Sequence, residues 1–269
     1  MATIDPTEGR RLFGRDPSGY HNARPSYPQR VFDILQERCG LRTGTHTFEI
    51  GPGTGLATQR LLQLGASPLV VVEPDKRLAH FLSTHCGQTT SNMKVRVATF
   101  ERVKLALEWF DLGVSASAFH WLDEKVALPK IVHHLRPGGW WAMWWNLFSD
   151  GSRTDEFHEA TRALLQELDR SPSSATEQRP PFALDRERRI ANLRAVKAFE
   201  RIEAETICSA VLFDTERMMQ LYSTFSPISR LNPVKRKRLL CQLSEIADQQ
   251  FGGKVEISVL TPLYIARRR

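Results

Sequence analysis

Residues 47–55, TFEIGPGTG, constrain this chain more than any other stretch. A short apolar run ends in an acid, Glu49, and Gly51, Gly53 and Gly55 then alternate. A strand that feeds a glycine turn and opens a helix, here TGLATQRLLQL, begins a βαβ unit, because parallel strands need a helical crossover. Such a turn lacks Cβ atoms where a ligand must approach the backbone, and the helix start offers N–H groups without intrahelical partners. Two ligand classes suit that arrangement: a dinucleotide, or an adenosyl compound that carries an amino acid.

Spacing separates the two. A dinucleotide fingerprint reads G-x-G-x-x-G. Here the third glycine comes one residue early, and Leu56 stands where that fingerprint has glycine. Glu49 lies two positions before Gly51, close enough to repel a pyrophosphate and attract an ammonium group. S-adenosylmethionine carries an ammonium and a sulfonium and no phosphate, so it is the expected cofactor. The next strand, VVVEPD, ends in Glu73 and Pro74. A carboxylate there has two oxygens for two ribose hydroxyls, which suits any adenosyl ligand.

The first two-thirds of the chain alternates β-like runs with helical patterns: TFEI, PLVVVEP, KVRVAT, WFDLGVSAS and WWAMWWN are the first five expected strands. A short helix is expected near Glu101 to Leu107, and another over DEKVALPKIVHHL, kinked at Pro129. After Asn146 the rhythm changes. DEFHEATRALLQEL reads as an amphipathic helix and 169–181 as a Pro/Ser-rich surface loop. FERIEAETICSAVLF and KVEISVLTPLYIARR read as two long strands, with two or three helices between them. The expected organisation is one domain: a core of 40–150, 197–212 and 253–269, and a helical substrate cover of 1–30, 151–196 and 214–252. Phe157, Leu164, Leu165, Met218, Met219, Leu221 and Tyr222 are expected to wall an apolar pocket in that cover for an aromatic or similarly flat substrate.

The net charge of +7 raises nucleic acid as a partner. The basic residues, however, sit in short clusters, RERR at 186–189, KRKR at 235–238 and RRR at the C-terminus, without the interleaved aromatics that stack bases. These clusters read as solvated surface, and a small molecule is the expected partner. Cys39, Cys86, Cys208 and Cys241 are scattered, with no C-x-x-C, which reads as reduced thiols in a cytoplasmic protein without a zinc site. No apolar run is long enough for a membrane span.

With these motifs in hand, the chain resembles the class I S-adenosylmethionine-dependent methyltransferases, of the group that includes the ubiquinone-pathway and trans-aconitate methyltransferases. FEIGPGTG, VVVEPD, ATFERV, SASAFHWLD, LRPGGWWAMWWN and the leader GYHNARPSYPQRVFDIL carry the likeness. The resemblance implies a Rossmann-like α/β fold: a seven-stranded, mostly parallel sheet in the order 3-2-1-4-5-7-6, strand 7 antiparallel, with helices on both faces. It implies that Gly51, Gly53 and Gly55 face the methionine and ribose parts of the cofactor. Glu49 is then near its amino group, Glu73 on the ribose, and Thr99, Phe100 and Glu101 along the adenine. Ser115 and Ala116 lie beneath it. Pro52 and ATFE depart from the commoner cysteine and GDA. Thr99 therefore offers a hydroxyl where an acid is usual. In the leader, Tyr20 or Arg24 could reach the cofactor's carboxylate.

Methyl transfer asks the protein mainly to align and desolvate. A base is needed only for a nucleophile that holds its proton, and His120, in the turn after the fourth strand, is the candidate. His133 and His134, near a helix C-terminus, read as dipole-stabilised surface residues. Trp140, Trp141, Trp144 and Trp145 read as core. Competing readings are an RNA methyltransferase, a fold relative that binds the cofactor without methyl transfer, and an NAD-dependent dehydrogenase.

Overall fold

Every residue of the first strand but His46 is buried, so both faces of that strand must be covered, and the sheet grows outward from it. In a computed structural model, residues 3–5, 8, 12–86, 92–148, 156–171, 173–176 and 179–269 are described. Within the expected loop 169–181, positions 172, 177 and 178 lie outside them, as does Asp155 at the start of the expected helix.

Among the described residues the strands are β1 (Thr45–Ile50), β2 (Ala66–Val72), β3 (Met93–Arg96), β4 (Phe110–Ala116), β5 (Leu135–Trp144), β6 (Phe199–Asp214) and β7 (Lys254–Arg268). They form a seven-stranded sheet in the order β3-β2-β1-β4-β5-β7-β6. β1 pairs parallel with β2 and β4, β4 pairs parallel with β5, and β7 runs antiparallel to β5. This is the Rossmann-like class I fold, as its motifs implied. The order reverses at β1/β4, the switch point where open α/β sheets bind ligands beyond the strand ends.

The chain divides into two compact units. The sheet unit comprises 26–146, 183–207 and 261–269. Its core gathers Val31, Phe32 and Leu35 of the helix Gln29–Glu37, Leu61 of the helix Leu56–Gln63, and buried residues of β2, β4, β5 and β7. All four tryptophans of β5 and its end are buried there, because the strand is central and covered on both faces. Residues 183–207 also belong to this unit, including the helix Arg186–Ala195, which the sequence pattern had not marked as a helix. The helix expected near Glu101 to Leu107 is absent: residues 101 and 102 form a turn and the chain then runs irregularly into β4.

The helical unit comprises 1–25, 147–182 and 208–260. The helices Glu156–Leu165, Thr215–Ser223 and Pro233–Phe251 enclose a core of their own. Phe157, Met218, Leu221 and Tyr222 fill it, together with Leu239, Leu243 and Ile257. These four side chains therefore do not wall a substrate pocket as the sequence pattern suggested. Helices as short as Glu156–Leu165 and Thr215–Ser223 need an apolar face buried against a neighbour to be stable. No helix of the described residues is long and apolar enough to cross a membrane.

Candidate active site

The glycine loop leaves β1 in a conformation that side chains resist. Gly51, Gly53 and Gly55 all have positive φ, at 66°, 58° and 92°. A Cβ on Gly51 would lie 2.5 Å from the Cβ of Ala118, so the loop is packed against the turn after β4. A Cβ on Gly53 would meet nothing within 4 Å. The backbone is thus closed on one side and open on the other. Pro52, between them, is buried. Gly55 caps the helix Leu56–Gln63, against Leu82 and Cys86.

Two acids stand under this loop. Glu49 is fully buried on β1. Its Oε2 accepts a hydrogen bond from the Thr58 hydroxyl at 2.6 Å, and its Oε1 has no partner. No ion pair reaches it among the described residues. Burial pushes its pKa up to about 7; the Thr58 bond opposes this and the charge of Glu73 adds to it. Glu73 is also buried. Its Oε2 accepts from the Gly53 N–H at 3.1 Å and its Oε1 from the Asp75 N–H at 2.9 Å. Glu73 therefore braces the loop through both of its oxygens. Pro74, beside it, is exposed. Thr54, inside the loop, has a buried hydroxyl without a partner. The sequence reading passed over it, although a hydroxyl between two glycines was a visible signal.

The loop after β3 divides its residues. Thr99 and Glu101 are half-buried, whereas Phe100 is 2% exposed and its ring stacks on Phe48 at 6.2 Å. Phe100 can therefore line a ligand only through its backbone. Glu101 gives its carbonyl to the Lys130 ammonium at 3.1 Å, and that ammonium lies 5.3 Å from the centre of the Phe100 ring.

At the end of β4, the buried Ser115 hydroxyl donates to the Ile50 carbonyl at 3.0 Å, tying β4 to the base of the glycine loop. Ala116 is buried beside it. Ser117 follows with a φ of 54°, a sparse region for a side-chain-bearing residue. Its hydroxyl accepts from the Tyr27 phenol at 3.1 Å. His120 lies in the 3-10 turn Phe119–Trp121, half-buried between two buried aromatics. Its Nδ1 accepts a hydrogen bond from the indole N–H of Trp145 at 3.1 Å.

Tyr20 and Arg24 fall in the helical unit. The Arg24 guanidinium lies 5.1, 5.4 and 4.9 Å from the ring centres of Tyr20, Phe148 and Phe225, and its Nε donates to the Thr224 hydroxyl at 2.9 Å. These contacts anchor the leader within that unit.

Residues 48–143 match the methyltransferase domain family. An uncharacterized methyltransferase of Schizosaccharomyces pombe is 24% identical over 262 residues, covering 96% of this chain and 97% of that protein. An uncharacterized methyltransferase of Mycobacterium tuberculosis is 32% identical over 134 residues; the match spans about half of each, 50% of this chain and 51% of that protein. The chain is a class I S-adenosylmethionine-dependent methyltransferase. Two solved structures share the fold of this methyltransferase. One is the 4+2 cyclase SpnF, at 13% identity and a TM-score of 0.62, over 100% of this chain and 98% of that one. The other is the Haemonchus contortus phosphoethanolamine N-methyltransferase 2 in complex with phosphomonomethylethanolamine and S-adenosylhomocysteine. It is 15% identical with a TM-score of 0.58, over 97% of this chain and 60% of that one.

The donor set of the methyltransferase's loop fits a cation better than a phosphate. A buried carboxylate oxygen and a buried hydroxyl lack partners, and the open side of Gly53 leaves the backbone accessible. A pyrophosphate would meet two buried acids there, at a high electrostatic cost. Among the described residues, no group of three His, Cys, Asp or Glu side chains is placed to hold a metal.

Two basic residues differ from their expected setting. Arg189, in the RERR cluster, is 2% exposed and pairs with Glu124 at 3.0 Å, while Asn192 donates to the same carboxylate at 2.6 Å. The helix Arg186–Ala195 turns this one arginine inward against the helix Glu124–His134, which a charge run cannot reveal. His134 is likewise buried; its Nδ1 lies 3.1 Å from the Ala106 carbonyl, and burial holds its pKa below the usual histidine range.

Proposed function

We propose that this methyltransferase binds S-adenosylmethionine over the glycine loop and carries its methyl group to a small molecule. One observation carries the reading: Glu49 is a buried carboxylate with an unpartnered oxygen beneath an open glycine backbone. Burying a carboxylate without a partner costs several kcal/mol, on the order of the penalty for any unpaired buried ion, and a cationic ligand relieves it. In this reading Glu73 takes the ribose hydroxyls while its Gly53 bond keeps the loop in shape. Thr99 and Glu101, with the backbone of Phe100, border the adenine. Ser115 and Ala116 form the floor. When bound, the cofactor supplies a methyl group activated on a positively charged sulfur, and the chain's own groups hold it and keep water away. The leader GYHNARPSYP supports assignment to the ubiquinone-pathway and trans-aconitate group. The small-molecule acceptor is supported by the absence of interleaved aromatics in the basic clusters, and by the phosphomonomethylethanolamine bound in the Haemonchus contortus N-methyltransferase.

Calorimetric titration with S-adenosylmethionine, S-adenosylhomocysteine and NAD tests the cofactor. The first two should bind and NAD should not; NAD binding without S-adenosylmethionine binding would overturn the reading. Incubating a whole-cell extract with methyl-labelled cofactor then tests transfer, and label appearing only in RNA would overturn the small-molecule acceptor.

A further inference from the structure

We propose that Trp145 is a positioning residue that holds His120 in one neutral form, with its proton on Nε2. His120 then offers a hydrogen-bond donor, and not a base, at the end of β4. The role of that donor rests on the methyltransferase reading above, since it assumes that the turn after β4 faces the site of transfer.

The argument begins with the chemistry of the two rings. An indole N–H can only donate. Its 3.1 Å contact with Nδ1 therefore makes Nδ1 an acceptor. A neutral imidazole with Nδ1 as acceptor must carry its proton on Nε2. Moving the proton to Nδ1, or adding one there, would set N–H against N–H across that contact.

Trp145 is in a position to impose this. It is 2% exposed, so its N–H has little access to water. Its backbone N–H donates to the Pro262 carbonyl of β7 at 3.3 Å, and its ring lies edge-on to Tyr264, 6.4 Å between centres. Tyr264 is itself fixed, its hydroxyl donating to the Ala183 carbonyl at 2.7 Å. His120 is gripped from its other side by Trp121, whose ring centre lies 4.8 Å away. A buried, fixed donor sets the tautomer of a half-buried histidine, because the donor cannot turn away to water.

The inference changes the chemistry open to His120. Nδ1 is engaged and Nε2 holds the proton, so no nitrogen lone pair stands ready to take a proton from a nucleophile. The imidazole is suited instead to hold an oxygen of the acceptor molecule, from a carbonyl, carboxylate or phosphate group. The acceptor's reacting atom must then reach the methyl group already unprotonated or weakly protonated.

The full chain labelled with nitrogen-15 in its histidines provides the test. Long-range proton–nitrogen correlation distinguishes the two tautomers, and His120→Gln identifies the His120 signals among the eight histidines. Nε2 should be protonated in the wild type, and Trp145→Phe, which keeps a ring but lacks the N–H, should shift His120 to a mixture of tautomers. A wild-type His120 protonated on Nδ1, or one unchanged by Trp145→Phe, would overturn the proposal. If Trp145→Phe fails to fold, the wild-type spectrum alone decides. A second arm measures label transferred to a small-molecule extract by His120→Ala and His120→Gln. The glutamine amide places a donor near the position of Nε2 and has no basicity, so it should recover much of what alanine loses. Equal losses of about 10²- to 10⁴-fold in both variants would mark a base and overturn the donor role. Absence of S-adenosylhomocysteine binding would sink the methyltransferase reading while leaving the tautomer result intact.

Discussion

Glu49→Gln should change how the stability of the ligand-free protein depends on pH. In the folded chain burial raises the Glu49 pKa to about 7, from the ordinary 4.5. Below about 4.5 both folded and unfolded chains hold the proton, and Glu49 has no net effect. Between these values the folded state keeps a proton that the unfolded state releases, so stability falls as pH rises; above about 7 the loss is complete. The interval, at about 1.4 kcal/mol per pH unit, amounts to about 3 kcal/mol. Glutamine resembles the protonated acid and can still accept the Thr58 bond. The variant should therefore match wild type near pH 4 and exceed it by about 3 kcal/mol at pH 8, in urea denaturation without ligand. The same substitution should weaken S-adenosylmethionine binding, and wild-type binding should release protons near pH 6.5, because a cation favours the carboxylate. Calorimetry in buffers of different ionisation enthalpy measures that release. Parallel pH profiles for the two proteins, or equal affinities, would refute the assignment of Glu49 as a strained acid relieved by a cation.

Glu73→Ala should weaken cofactor affinity by about 1.5–3 kcal/mol, the range for hydrogen bonds to a charged group, and unchanged calorimetric affinity would remove it from the site. Gly51→Ala should lower the denaturation midpoint more than Gly53→Ala. Both suffer positive φ, at about 1–2 kcal/mol, but only Gly51 would drive a methyl into Ala118. Gly53→Ala should instead show its larger effect in cofactor titration. Arg189→Met should cost about 3–5 kcal/mol of stability by stranding Glu124 in a buried setting, and adding Glu124→Gln should restore a large part of it.

What the sequence determined by itself was an alternating α/β core with a glycine turn after its first strand; the strand order came from the resemblance that those motifs carry. Glycine spacing, an acid two residues before the first glycine and an acid closing β2 are local patterns, and local patterns survive without knowledge of the fold. Tertiary structure decided the rest, because burial and partner choice depend on residues far apart in the chain. Arg189 looked like one of four surface charges, and only packing of its helix against residues 124–134 made it a buried ion-pair partner. Phe157 and Met218 had the periodicity of a pocket wall, yet apolar periodicity specifies a buried face without saying what covers it. His120 was legible as a residue at the end of β4. Its hydrogen-bond partner, Trp145, was not, since contact between the ends of β4 and β5 exists only once the sheet has formed, and the side of the imidazole that carries the proton follows from that contact.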